Sequence, residues 1–335
     1  GQKPIIEAMP VTLYTPSMLP EWDRVVRESR NGTFLHLRGY MDYHADRFAD
    51  MSLVASDDAG RIIALLPAHR RGDTLVSHGG LTYGGWLMTN RADMLAMMKV
   101  WKDMTRLLRE QGIHRLIYKP VPHIYHRSPA EEDLYALWRD GGKVESVLVS
   151  SVVDMATPLG FDMAARQSVG KARRNGVTVG PSDDWQGFWR VLEERLGAAY
   201  GATPVHTLGE ISLLHSRFPG NIRLYTAVCD GEIVAGIVMY YTDTVAHSQY
   251  TGSTDAGRRL RSIPLLYRYI IDNLPQGIRY FDFGTSNEDG GRYLNEGLIR
   301  QKASFGARAV AYSTYVIDIA GDDVADLRKQ KDVRT

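Results

Sequence analysis

Hydrophobic and polar positions along the 335-residue chain follow two periods, and the order in which those periods alternate repeats once. Over residues 20–29 the apolar positions Trp22, Val25 and Val26 share one helical face. Residues 51–56 and 61–69 alternate around the turn Asp57-Asp58-Ala59-Gly60, the signature of a hairpin, and 74–78 continues as a further strand. From 91 to 110, Met94, Met97, Met98, Trp101, Met104 and Leu107 recur at helical spacing, which predicts an amphipathic helix with a methionine-rich core stripe. Gln111-Gly112 ends that helix. A buried strand over 114–119, a helix over 129–139 and a long strand over 143–155 close the first half.

The second half restates this order. It reads as a basic helix over 166–175, a short strand over 177–179, and a helix from Asp184 to Tyr200. A three-strand meander over 223–229, 233–241 and 244–250 follows, then a helix over 263–274, a strand over 279–283 and helix-forming residues over 292–304. The parallel reaches individual residues: Gly60-Arg-Ile-Ile-Ala64 reappears as Gly231-Glu-Ile-Val-Ala235, Gln111-Gly112-Ile113 as Gln276-Gly277-Ile278, and Val152-Val153-Asp154-Met155 as Val316-Ile317-Asp318-Ile319. The offsets are 171, 165 and 164 residues. Three markers in one order predict a duplicated globular unit, because solenoid repeats are far shorter. A helix, an antiparallel meander, a crossover helix and further strands give each unit a mixed, mostly antiparallel sheet with flanking helices. The expected organisation is a mixed α/β (α+β) fold in two tandem domains, 1–157 and 158–320, with a charged tail over 321–335.

One stretch, 277–310, departs from its counterpart in the first copy. Its strand stops at Gly284, a strongly polar loop occupies 285–291, and a helix carrying Arg292, Tyr293 and Lys302 follows. A helix start presents unpaired N–H groups and partial positive charge, a common frame for an anion-binding cleft. Asp282 lies between Phe281 and Phe283, so strand alternation turns it to the opposite face. A carboxylate there must be paired or line a cleft. At an offset of 165, Asp282 aligns with Ile117, Gly284 with Lys119 and Lys302 with Leu137. A loop that only connects two elements does not need this asymmetry. The second domain is therefore expected to carry the site and the first to act as scaffold, although Lys302 would also suit a helix end simply by opposing its dipole.

Composition narrows the chemistry. Hydrophobic residues at 44% and charged residues at 24% match an ordinary globular protein. A net charge of +1 excludes the whole-chain basic field that dominates non-specific nucleic-acid binding. The single cysteine, Cys229, excludes an internal disulfide framework and a multi-cysteine zinc site, and is expected to pack as a small hydrophobe. His36, His44, His123 and His126 show no recognisable ligand spacing, so no metal is expected. There is no Gly-x-Ser-x-Gly elbow to supply a covalent nucleophile. No apolar run approaches the roughly 18 residues of a membrane span, and no signal-peptide pattern is present. A cytoplasmic location is the expectation.

The repeated unit resembles the acyltransferase fold of the GCN5-related N-acetyltransferase (GNAT) family, and two such units in tandem resemble the FemABX family of aminoacyl and peptidyl transferases. The resemblance is carried by Lys171-Ala-Arg-Arg-Asn-Gly176, by Pro204-Val205-His206, and by Gly297-Leu-Ile-Arg-Gln-Lys302-Ala-Ser-Phe305-Gly306. It implies direct acyl transfer to an amine, with no covalent enzyme intermediate, and a catalytic or substrate-contacting role for Lys302. Asp282 is the candidate to orient the amine or act as base. Arg292, Tyr293, His206, Lys171 and Arg174 are candidate contacts for the acceptor. The family's coenzyme A pyrophosphate motif falls at Arg258, Arg259 and Arg261, although Arg261 and Ile263 occupy its two glycine positions. The resemblance implies acyl-coenzyme A or aminoacyl-tRNA as co-substrate, with no tightly bound cofactor. The acceptor would be a small molecule or a peptide- or glycan-linked amine, and the acceptor end of a tRNA a further partner. The competing expectation is a catalytically silent module that binds a peptide, glycan or nucleotide-linked ligand.

Overall fold

The computed structural model describes residues 10–319. They form two compact units, one from the chain up to Val147 and again from Tyr312, the other from Leu148–Ala311. Both divisions fall inside long strands, whereas the expected boundary at 157 followed the end of one. The charged tail expected over 321–335 lies outside the described residues.

The first unit contains strands β1 (Val11–Leu13), β2 (Ala49–Asp50), β3 (Leu53–Ser56), β4 (Ile62–Leu66), β5 (His69–Arg71), β6 (Thr74–Val76), β7 (Leu87–Met88), β8 (Arg115–Tyr118) and the start of β9 (Lys143–Asp154). Its helices are α1 (Leu19–Glu28), α2 (Arg38–Met41), α3 (Met94–Glu110) and α4 (Glu132–Arg139). The strand expected over 61–69 is two strands. Pro67 has no N–H for a ladder, so β4 stays with β3 while β5 pairs with β6. Helix α3 starts at Met94 because Asp93 accepts from Ala96 N at 2.9 Å. Its stripe Met97, Val100, Trp101, Met104 and Leu108 packs into a core with Leu53, Ile63, Trp86 and Leu116. Strands β6 and β8 are parallel, with Val76 opposite Ile117.

The second unit continues with α5 (Met163–Arg174), β10 (Thr178–Ser182), α6 (Trp185–Tyr200), α7 (Leu208–Arg217), β11 (Ile222–Cys229), β12 (Glu232–Tyr241), β13 (Val245–Ser253), α8 (Asp255–Arg259), α9 (Ser262–Asp272), β14 (Tyr280–Thr285), β15 (Asn287–Glu288), β16 (Tyr293–Leu294), α10 (Glu296–Ser304) and the start of β17 (Arg308–Asp318). Its sheet runs β10-β11-β12-β13-β14-β9, antiparallel except where β13 meets β14. Helix α7 has no counterpart among the expected elements. Thr207 and Glu210 form a capping box that starts it. The helix expected from Arg292 begins only at Glu296. Asn295 caps it through Leu298 N, and Tyr293–Leu294 pairs back on Asn287–Glu288 around the positive-φ glycines Gly290 and Gly291. Cys229 is half-buried at the edge of the core, not inside it.

One face of this sheet packs Ala246, Phe281, Phe283 and Phe305 with α5 and α9. The other face meets α6: a Cβ at Gly236 would strike the Phe188 ring, and one at Gly252 would lie 3.2 Å from Leu192. The Phe305-Gly306 end of α10 has a backbone reason. Gly306 has φ +90, and a Cβ there would lie 2.7 Å from Gly160 O. Gly306→Ala should cost about 1–3 kcal/mol from conformational strain alone. Urea unfolding that gives an unchanged midpoint would contradict this.

Candidate active site

The parallel contact between β13 and β14 is short. Val245, Ala246 and His247 pair with Tyr280, Phe281 and Asp282, and the register ends there although both strands run on. Past that pair no ladder joins the two strands, so their facing backbone groups are left to other partners. Gly284, with φ +87, bends β14 away immediately after Asp282.

His247 and Asp282 are the last pair before the strands separate. The carboxylate of Asp282 is fully buried. Its Oδ1 accepts from Ser150 Oγ at 2.6 Å and from Gly284 N at 2.8 Å, and its Oδ2 lies 3.0 Å from His247 Nδ1. A buried carboxylate with three donors is the arrangement that stabilises the ionised form. An ionised carboxylate only accepts, so Nδ1 of His247 carries a proton, and in the neutral ring Nε2 is the nitrogen with the lone pair. The imidazole is 13% exposed. The result is a base whose tautomer and orientation are set by a buried acid.

Lys302 reaches the same strand end from α10. Its ammonium donates to Gly284 O (3.2 Å), Thr285 O (3.1 Å) and Ser286 Oγ (2.8 Å), which uses all three of its protons on the loop after β14. Burial lowers its pKa to about 8, opposed by the charge of Asp282. Lys302 thus pins the turn whose Gly284 N–H holds Asp282.

The other expected residues fall into separate places. His206 is buried, with Nδ1 at 2.5 Å from Tyr250 OH and its backbone N–H donating to the same hydroxyl at 3.3 Å. Tyr250 owes its direction to a bulge. Met239 pairs with Ser248 and Val238 with Tyr250, so Gln249 is the extra residue, and Tyr250 turns to the face that carries His247. Arg292 and Tyr293 stand exposed on the β15–β16 hairpin, not in a first helical turn. Lys171 and Arg174 are exposed in the last turn of α5, which packs on the sheet face opposite His247. Arg258 donates to Ser253 O and pairs with Asp255. Its pKa is lowered by burial, then by the cations Arg195 and Arg259. Arg261 adopts the left-handed conformation (φ 62, ψ 38) at the N-cap of α9. A glycine would take that conformation readily, whereas an arginine there carries strain.

Sequence reasoning did not find His247, Ser150 or Tyr250. The available signal was a histidine inside the otherwise apolar run Val245-Ala246-His247. Its partner lies 35 residues away on a parallel strand, and alternation alone does not supply that register. Among the described residues no group of three His, Cys, Asp or Glu side chains is placed to hold a metal ion. No described helix is long and apolar enough to cross a membrane.

Residues 163–293 match the family model described as an acetyltransferase (GNAT) domain. Among solved structures the fold is similar to FemX, at 12% identity and TM-score 0.64, over 95% of this chain and 98% of that one. It is similar also to the C-terminal domain (DUF2156) of a putative lysylphosphatidylglycerol synthetase from Agrobacterium fabrum, at 15% identity and TM-score 0.60, over 94% and 95% of the two chains. A tandem GNAT protein from the clavulanic acid biosynthesis pathway shares 12% identity and TM-score 0.52, over 94% and 99%. These likenesses are of fold. No curated protein matches the chain significantly in sequence.

Proposed function

We propose, for a chain that is a GNAT-superfamily acyltransferase with a tandem, FemX-like fold, that its second unit acylates an amine with His247 as general base. The observation that carries this is the buried Asp282 holding His247 Nδ1 at the splay of β13 and β14. An amine bound beside Nε2 gives up a proton to it as its nitrogen attacks the acyl carbonyl. The tetrahedral intermediate then collapses, the C–S bond of the donor breaks, and the thiolate leaves. The imidazolium formed is stabilised by Asp282. No covalent enzyme intermediate is needed.

Acyl-coenzyme A is the donor favoured here. Arg258, Arg259 and Arg261 precede α9, and an anionic ligand there would relieve the repulsion of Arg258 by Arg195 and Arg259. Tyr250 and His206, on the face of His247, are proposed to line the acceptor side. Arg292 and Tyr293 would meet the acceptor from the hairpin, and Lys171 and Arg174 an anionic portion remote from the reacting amine. The FemX and lysylphosphatidylglycerol synthetase likenesses favour acceptors that present an amine or headgroup on a peptide or lipid carrier.

The direct test is release of free thiol from acetyl-coenzyme A in the presence of panels of amino acids, peptides and lipid-linked headgroups. Amine-dependent thiol release is expected. Its absence with every acceptor, while aminoacyl-tRNA is consumed, would transfer the donor assignment to the tRNA.

The activity should also fall as pH rises through about 8, where Lys302 loses its charge and one of its three hydrogen bonds to the loop. Loss of stability through Lys302 cannot produce that limb. A lysine whose native pKa lies below its unfolded value binds fewer protons when folded, so stability rises with pH between those values. The limb should be absent in Lys302→Arg, which keeps its charge. A wild-type profile flat through this range would refute the role given to Lys302.

A further inference from the structure

The first unit ends its own parallel strand pair on different chemistry. Val76 and Ile117 oppose each other across β6 and β8, as His247 and Asp282 do across β13 and β14. Just past that pair come His78, Gly79 and Gly80 on one side and Lys119 on the other. His44, Phe48 and His69 close around them. Ring centroids lie 5.3 Å apart for His44–His78 and for His69–His78, and 4.8 Å apart for Phe48–His69. A Cβ on Gly79 would lie 2.8 Å from His69 Cε1, and one on Gly80 would strike His44 and Phe48, so the rings rest directly on bare backbone.

The hydrogen bonds fix the tautomers. Gly79 N donates to His69 Nδ1 at 3.1 Å, and Gly80 N donates to His78 Nδ1 at 3.3 Å. A ring nitrogen that accepts is unprotonated, so each neutral ring carries its proton on Nε2. His69 and His78 are only 6% and 3% exposed, yet neither Nε2–H meets an acceptor among the described residues. Neither nitrogen is fully sealed from solvent. The half-buried ammonium of Lys119 also lacks an acceptor among the described residues. Three donors therefore lie near one strand end with no protein acceptor among the described residues, and solvent access leaves them open to an acceptor from a ligand.

We propose that His69 Nε2–H, His78 Nε2–H and the Lys119 ammonium bind a small oxyanion, the carboxylate or phosphate group of a ligand, in the first unit. Neutral and cationic donors with no acceptor of their own select that class. The titratable and charged groups facing His69 are Arg71, Lys119, His44 and Asp50, and those facing His78 are His44, His69, Arg38 and His36. The one acid, Asp50, is paired with Arg38. Burial first, and the neighbouring positive groups after it, hold the rings neutral, with His69 lowered to about 4 and His78 to about 3. A bound anion favours protonation of both rings, so affinity increases as the pH falls.

The test is NMR of the full chain carrying 13C-labelled histidine, titrated with sodium phosphate, sodium acetate and, at matched ionic strength, sodium chloride. Saturable shifts of the His69 and His78 Cε1–H signals are expected with phosphate or acetate and not with chloride. The stronger of the two anions identifies a phosphate or a carboxylate ligand. Lys119→Met, and His69→Asn, which preserves an acceptor for Gly79 N–H, should each weaken the response roughly tenfold or more. Equal shifts with chloride, or unchanged affinity in both variants, overturns the proposal. Should the variants fail to fold, the wild-type protein still decides the matter. A melting temperature that does not rise with phosphate or acetate at constant ionic strength refutes it. None of these readouts depends on acyl transfer in the second unit.

Discussion

Replacing His247 by Gln is expected to lower kcat for amine acylation by roughly 10²–10⁴-fold, the usual worth of a positioned general base. KM for the acyl donor should stay near the wild-type value, because the arginines proposed to hold the donor lie beyond β13. Glutamine reaches about as far as Nε2 but cannot take the proton. The loss should shrink as pH rises and more of the acceptor amine is already deprotonated, since the base is then less needed. A structural role would give a different pattern: a pH-independent loss and a lower melting temperature. Wild-type kcat in His247→Gln would remove the general base from the mechanism.

The distinction between what was legible in the sequence and what was not follows sequence distance. The duplication was legible because Gly60 and Gly231, and Gly112 and Gly277, mark turns with positive φ, and that backbone demand is written in residue type. Asp282 was legible as an outlier because it interrupts two phenylalanines that both enter the core. The offset that set Asp282 against Ile117 agrees with the structure, where each is the β14 or β8 member of the corresponding parallel pair. Its partner was not legible. The offset of 171 at the first marker sets His247 against Val76, but nothing in the sequence says that the strand of His247 pairs with that of Asp282 in this register. The bulge at Gln249 is equally silent in the sequence, yet it decides that Tyr250 faces His206. Helix boundaries failed where capping overrode propensity, as at Asn295, which starts α10 after Arg292 and Tyr293 have been drawn into a hairpin. Lys302 was singled out by its motif. Its three acceptors on the loop came only from three-dimensional placement.

Asp282 offers the sharpest separation of catalysis from stability, through two substitutions that should behave oppositely. In Asp282→Asn, an amide oxygen at the Oδ1 position can still accept from Ser150 Oγ and Gly284 N. The amide NH₂ then faces His247 Nδ1, 3.0 Å away in the wild type, where two donors would meet. The imidazole relieves that conflict by moving its proton to Nε2, and the nitrogen that should accept from the substrate amine becomes a donor. The expected result is a kcat loss of roughly 10²–10⁴-fold from the wrong tautomer, with a nearly unchanged denaturation midpoint. Asp282→Ala deletes the acceptor altogether. It leaves Ser150 Oγ, Gly284 N–H and His247 Nδ1–H facing a buried gap, at a cost of about 3–5 kcal/mol in unfolding free energy. Activity in the Ala variant should be low even where enough folded protein remains to assay. Near wild-type turnover in the Asn variant would mean that the carboxylate only braces the strand, and that His247 acts, if at all, without it. A large stability loss in both variants, with parallel loss of activity, would place Asp282 in the fold and not in the chemistry.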